Sequence, residues 1–406
     1  MKRTNRTVTV IVVAVTMAGV FCIASGLAGD RDSTAVRLPG ARAVIEAASY
    51  PTIQAALDAL PEEGGVVRLP PGTFEISEPL KVTRSDVLIE GAGTATHIKN
   101  VNTEGKSALV LQHPSGGDNR KAELWRIRLA NFRITGNEKS GNGIEARRIN
   151  EVFIDGVTVS YHGDDGILLH FCYEDPRICN SLITYNKKTG LNAVGCHDVV
   201  VSANQFEENQ DAVRFTDGFN LCMTGNCLDD HLGDGVVIEN TYGSVVAGNM
   251  IEECKGTAIV LDRDCYGITL SANVIAHEQT GGISLRDAHG CAVSANTFTI
   301  VGKDALSIGP KSGRIAVTGN NFCDSYIGAD QLKRAENDRQ AGGIALNGTS
   351  GIAVTGNLFS GLRPKALSLE GAASTHVLFS DNVLVDTTGE QNELEASLVK
   401  DNLGDK

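Results

Sequence analysis

Aromatic rings, proline and helical periodicity are all scarce in this chain of 406 residues. Aromatic residues make up only 5% and there are 10 prolines, against 45 glycines. The length exceeds one ordinary globular core. So few rings and so many glycines suit short strands and tight turns whose small side chains stack in layers, an extended array rather than several conventional domains. Excess positive charge is missing too. With 36 Lys and Arg against 49 Asp and Glu the formal charge is -13, which argues against a nucleic-acid partner. The same field would repel an acidic polysaccharide unless local arginines or a bridging cation offset it. Cysteines in metal-ligand spacing are absent.

Long apolar runs are nearly absent as well, the exception lying at the start. MKRTNR is followed by VTVIVVAVTMAGVFCIA and by small residues at Ser25, Gly26 and Ala28. This predicts an export signal over residues 1–28, hence a secreted or periplasmic protein, because the apolar run is short for a membrane span. Cleavage there would take the formal charge to -16. Residues 29–48 read as a linker, 49–389 as the main domain and 390–406 as an acidic tail. Most remaining cysteines read as small buried fillers. Cys172 and Cys179, which bracket a loop that departs from the repeat, are candidates for a disulfide in an exported chain.

What is abundant is repetition. Ile144, Ile167, Leu191, Val213, Val236, Ile259, Ile283, Leu306, Ile344 and Leu367 recur at intervals of 22 to 24 residues, apart from one interval of 38. Within a unit, apolar residues stand two apart, as in Ile259 and Leu261, then Ile268 and Leu270, and a further turn is followed by Val274 and Ile275. Period two means strand, and no unit has the spacing of an amphipathic helix. A second series, Asn204, Asn226, Asn249, Asn273, Asn296, Asn320, Asn357 and Asn382, predicts a ladder of amides, each bonded to its copy one coil away. The fold implied is all-β, a right-handed parallel β-helix of three sheets. Its N-terminal end would be capped by a helix in PTIQAALDALPEEGG, where Thr52 caps a stripe of Ile53, Ala56, Leu57 and Leu60.

The segments YPTIQAALDALPEEGGVVRLPPGTFEISEPLKV and VLIEGAG, with the coils that follow, resemble the pectin-lyase-like superfamily of β-helix proteins from about Tyr50 to Asp386. That resemblance implies polysaccharide lyases, glycoside hydrolases or uronan epimerases. The same repeats also occur in proteins that only bind or assist, so fold alone does not decide function. The Asp-Pro-His-Glu pattern of mannuronan epimerases is missing; Glu174, Asp175 and Pro176 occur in another order. The full set of polygalacturonase motifs is missing too.

Candidate chemistry comes from register. The outward line three residues after each repeat position runs Arg147, His170, Val194, Thr216, Glu239, Asp262, Arg286, Gly309, Asn347 and Glu370. Strands stacked about 4.8 Å apart would bring Glu239 and Asp262 together, with Arg263 and Arg286 beside them. Glu239, Asp262, Arg286 and His170 are therefore the candidate catalytic residues, and Arg214, Arg263, Asp287 and Asp217 the candidate substrate contacts. The two carboxylates could act as acid and base or nucleophile in hydrolysis. Alternatively they could hold Ca2+ bridging a uronate while an arginine abstracts a proton in β-elimination. An ordinary solvated ion-pair network is the plain structural alternative. A second constellation gathers His162, Asp164, Asp165, His170 and Asp175, in which Asp165 recurs as Asp211, Asp234 and Asp304 and so reads as a turn residue. The insertion from Asp324 to Gly343 carries Lys333, Arg334 and Arg339 and could overhang the outward face. The expected partner is a polysaccharide, met by a monomer. Few outward aromatics are expected for stacking against sugar, which favours the alternative of a non-catalytic binding or cell-surface module.

Overall fold

The computed structural model describes residues 38–116, 119–323, 341–389 and 396–404. The expected export signal and residues 324–340 of the insertion, with Lys333, Arg334 and Arg339, lie outside the described residues. So do residues 390–395 of the tail.

Three parallel sheets of 12, 14 and 17 strands run the length of the coil. One coil shows how. Thr257–Asp262 belongs to the 12-stranded first sheet, Thr269–Ser271 to the 17-stranded second and Val274–Ala276 to the 14-stranded third. Each strand pairs with its equivalent one coil on. The ten repeat positions from Ile144 to Leu367 are partners in unbroken succession. Leu306 pairs with Ile344 across the 38-residue interval, so the insertion leaves and rejoins the coil without shifting register.

Alternation along each strand decides what is buried. Ile144 and Ala146 are fully buried while Glu145 and Arg147 are partly exposed. Inward positions stack into aliphatic columns, and Phe298, Phe322 and Phe359 into a ring column at 4.7 and 4.9 Å. The asparagine ladder forms as expected. Each amide from Asn204 to Asn357 donates Nδ2 to the Oδ1 of the next at 2.9 to 3.0 Å, and each Oδ1 also accepts the backbone N–H of the asparagine before it. Asn382 extends the series to Asn402. The recurring aspartate is a second device of this kind. Asp165 Oδ1 accepts the Thr189 N–H at 3.0 Å, Asp211 that of Asp234 at 2.8 Å and Asp234 that of Thr257 at 2.7 Å, so these carboxylates satisfy the turn of the following coil.

The ends differ from the expected boundaries. Ala43–Glu46 already pairs with Gly65–Arg68, and near the C-terminus Leu398–Lys400 and Leu403–Gly404 add strands to the second and third sheets. A helix forms at Ile53–Asp58, with Thr52 Oγ1 accepting the Ala55 N–H at 3.0 Å and Ile53, Ala56, Leu57 and Leu60 buried. It is only six residues long. Its Gln54 amide both donates to and accepts from the Lys81 backbone on the terminal strand of the first sheet. One residue of edge is thus answered, but a helix capping the coil end is not shown.

Cys172 and Cys179 are not joined. Cys172 is fully buried with Sγ 3.5 Å from the Ala146 carbonyl, whereas Cys179 is partly exposed and lies 3.2 Å from Ser202 Oγ. Cys172 lies inside the coil at the turn after Ile167–His170, and Cys179 ends the strand Arg177–Cys179 with its thiol partly exposed, so the two are separate free thiols. Among the described residues no helix is long and apolar enough to cross a membrane.

Candidate functional site

The outward line of the first sheet is assembled by register: Thr216, Glu239 and Asp262 are direct partners on successive strands. The next backbone position then turns left-handed in coil after coil, at Asp217, Asn240 and Arg263 with φ of 55°, 46° and 56°. That turn throws side chains out beside the line rather than inward. Asn and Asp tolerate the conformation readily. Arg263 is followed by a second left-handed residue, Asp264, and its N–H is fixed by Asp262 Oδ1 at 2.8 Å.

These elements bring six of the eight candidates into linked ion pairs or contacts. Arg214 Nη2 lies 3.1 Å from Glu239 Oε2, and its Nη1 2.9 Å from Asp211. Burial works against the Arg214 charge, but Asp211 and Glu239 outweigh it and raise its pKa. Thr216 Oγ1 also reaches Glu239, at 3.4 Å. Arg263 bridges Asp217 at 3.4 Å and Glu239 at 4.0 Å, while Arg286 stands 3.9 Å from Asp262. Asp287 joins no carboxylate pair and lies 3.9 Å from His289 Nε2. His170 stands apart from this cluster, with Nδ1 3.2 Å from Arg147 Nη1.

The second constellation disperses. His162 is fully buried and burial pushes its pKa down to about 4, Asp164 pairs with Lys188 at 2.7 Å, and Asp165 is spent on the turn. His170 keeps its outward position, and Asp164 and Asp175 also remain at the surface.

A metal would find its ligands elsewhere. Glu239 and Asp262 already face three guanidinium groups, so their charge is offset without Ca2+. Among the described residues, the groups whose ligand atoms converge are Glu252, Glu253 and His277, and Asp229, Asp230 and Glu253, where interior strands of the third sheet end. There the acids raise one another's pKa after burial has done so, at Asp229 and Glu253.

One feature corrects the sequence reading. Outward rings are not few: Tyr173, His197, Phe219, Tyr242 and Tyr266 follow one another on successive coils at centroid distances of 4.6, 4.3, 4.4 and 5.1 Å, and Tyr266 is in register with His289. Tyr242 and Tyr266 are 37% and 51% exposed. The row runs beside the charged line. Its signal lay in the spacing: a ring stands three residues after His170, Val194, Thr216, Glu239 and Arg286, and four after Asp262.

With this geometry in place, the model of the right-handed beta helix region matches residues 86–231, 117–275, 177–322 and 257–401. The chain belongs to the right-handed β-helix family. A search of curated proteins gives no match. Solved structures share the fold of this β-helix protein. Pre-mature gene product 12 of bacteriophage phi29 superposes with a TM-score of 0.66 at 13% identity, over 89% of this chain and 55% of that one. A mutant of the periplasmic alginate epimerase gives 0.55 at 12% over 84% of each. The A-module of an Azotobacter vinelandii mannuronan C-5 epimerase gives 0.53 at 17% over 88% of this chain and all of that one. This β-helix protein thus spans little more than half of the phage chain.

Proposed function

We propose that this β-helix protein is an exported carbohydrate-active enzyme that holds a glycan along the outward face of its first sheet and acts on it through Glu239 and Asp262. The observation that carries the reading is their register: two half-buried carboxylates on adjacent strands, flanked by Arg214, Arg263 and Arg286. Carboxylates so placed can divide acid and base roles in hydrolysis, and an arginine beside them can draw a proton from a uronate in lyase or epimerase chemistry. Arg214 and Arg263 would position the sugar, with Asp217 holding Arg263 and Asp287 lying further along. The row of rings supplies apolar surface next to the charges, which suits sugars. Likeness of fold to two alginate epimerases supports a glycan ligand.

The test is incubation of the protein with uronans and neutral glycans, with and without Ca2+, following unsaturated products and reducing ends. Glu239→Gln and Asp262→Asn should each lower turnover by about 100-fold or more, the usual share of general acid and base catalysis. Unchanged turnover in both would remove these residues from the chemistry. A second reading, a non-catalytic glycan-binding or cell-surface module, is favoured by one observation: every carboxylate of the cluster already has an arginine partner, as in a structural network. Retained binding without turnover on the whole panel would select it.

A further inference from the structure

Further along the coil, past His289, the surface changes character. A cleft of about 640 Å³ is walled by His289, Lys311, Arg314, Ser350 and His376, and no carboxylate lines it. Lys311 and Arg314 are exposed and make no ion pair among the described residues. Elsewhere Arg68, Arg126, Arg128, Arg147, Arg214 and Arg263 are each matched with an acid. Here two unmatched cations line one cleft in a chain of net charge -13.

The backbone supplies their setting. Gly313, Ser350 and Thr375 are partners on three successive strands, as are Ile315, Ile352 and Val377. The pairing skips the residues between, Arg314, Gly351 and His376, whose φ values are 56°, 75° and 55°. One position in three coils is therefore pushed out of the sheet into a shared bulge. At Gly351 the left-handed backbone is the reason for glycine, since a Cβ there would meet Arg314 only at ordinary contact distances of 3.4 Å and more. His376 Nδ1 is held by Ser350 Oγ at 3.3 Å and Thr375 Oγ1 at 3.2 Å, and those hydroxyls bond each other at 3.0 Å. The ring is exposed and lines the cleft.

We infer that this cleft binds an oxyanion carried on a glycan chain, a carboxylate or sulfate. Arg314 offers a planar fork suited to two anionic oxygens, and Lys311 adds a point charge. The carrier follows from position. His289 is at once a wall of the cleft and the register partner of Tyr266 at the end of the ring row, so a chain lying along the rings arrives with its next unit at the cations. The carrier rests on the proposed glycan reading; the anion site does not.

The experiment titrates the full chain, at low and at high salt, with inorganic sulfate, a short oligogalacturonate and a neutral cello-oligosaccharide of equal length. It compares the parent with Lys311→Ala/Arg314→Ala and with Arg314→Lys. Sulfate and oligogalacturonate should compete, weaken with salt, and lose about tenfold or more in affinity in the double variant, with Arg314→Lys between, since it keeps charge but loses the fork. Both positions are exposed, and an unchanged melting temperature confirms the fold. Equal sulfate affinity in parent and double variant would overturn the site. Sulfate binding that the double variant loses, with no oligogalacturonate bound, would overturn the glycan carrier and leave the anion site. Loss of turnover in the Glu239 and Asp262 variants is read separately.

Discussion

Two polar columns run through the interior of this coil, and they are built on opposite terms. One is uniform: asparagines from Asn204 to Asn402, each amide giving and receiving the same bonds. The other is mixed: His162, Asn186, Asn209, His231, Cys254 and Glu278 succeed one another at one turn corner, all buried. Where two asparagines meet in it, Asn186 donates to Asn209 at 2.9 Å. Where the types change, bonds fail. Both ring nitrogens of His162, Nε2 of His231 and both carboxyl oxygens of Glu278 lack a hydrogen-bond partner. A stack of identical amides is self-complementary because each carries donor and acceptor in a fixed offset. A histidine above a thiol above a carboxyl has no such match, and the shortfall moves into protonation.

The largest expected effect comes from acidification. Burial holds His162 and His231 down at about 4, below their free value, so the fold favours the neutral rings. Their stability is intact above pH 6.5 and is lost as pH falls towards 4, at about 3 kcal/mol for each ring. Denaturant unfolding at pH 7 and pH 4 should show this loss. His231→Asn, which continues the Asn186–Asn209 pairing, should remove about half of it; an unchanged acid loss would mean that other groups carry the sensitivity.

The uniform column is broken by Asn249→Ala. That change deletes the bonds to Asn273, Met223 and Asn226 and strands buried partners. A loss of about 4 kcal/mol in unfolding free energy is expected, at about 1 kcal/mol for each of the four bonds. A loss below about 1 kcal/mol would show that the ladder is ornament on an aliphatic stack.

The smallest effect is at Glu278. Burial pushes its carboxyl well above the usual carboxylate range, so its fold contribution is complete below the free value and wanes as pH rises. Glu278→Gln should unfold less readily than the parent at pH 8 and show no advantage at pH 4. A variant less stable than the parent at pH 8 would contradict this.

Much of this comparison was legible beforehand, and the unread parts share a cause. The ten aliphatic positions and the asparagines recur as one residue type at one period, so register could be counted off. The mixed column hides because His162, Asn209, Cys254 and Glu278 look unrelated until the coils are stacked. The ring row hides for the same reason, alternating Tyr, His and Phe. Glu239, Asp262, Arg214, Arg263 and Arg286 could be gathered on one face by counting. Their partners could not, since Arg263 reaches Asp217 across two coils by a left-handed turn. His162 shows the same limit, lying near His170 in sequence but on the inner side of the wall.

The chain by itself determined the coil, its three sheets, its register and the faces those assign, because period and alternation are properties of residue order. Tertiary structure alone decided which outward charges are matched and which stay open at Lys311 and Arg314, and which inward polar atoms go without partners. Those outcomes depend on distances between side chains some 23 residues apart, set by turns whose handedness the order of residues does not declare.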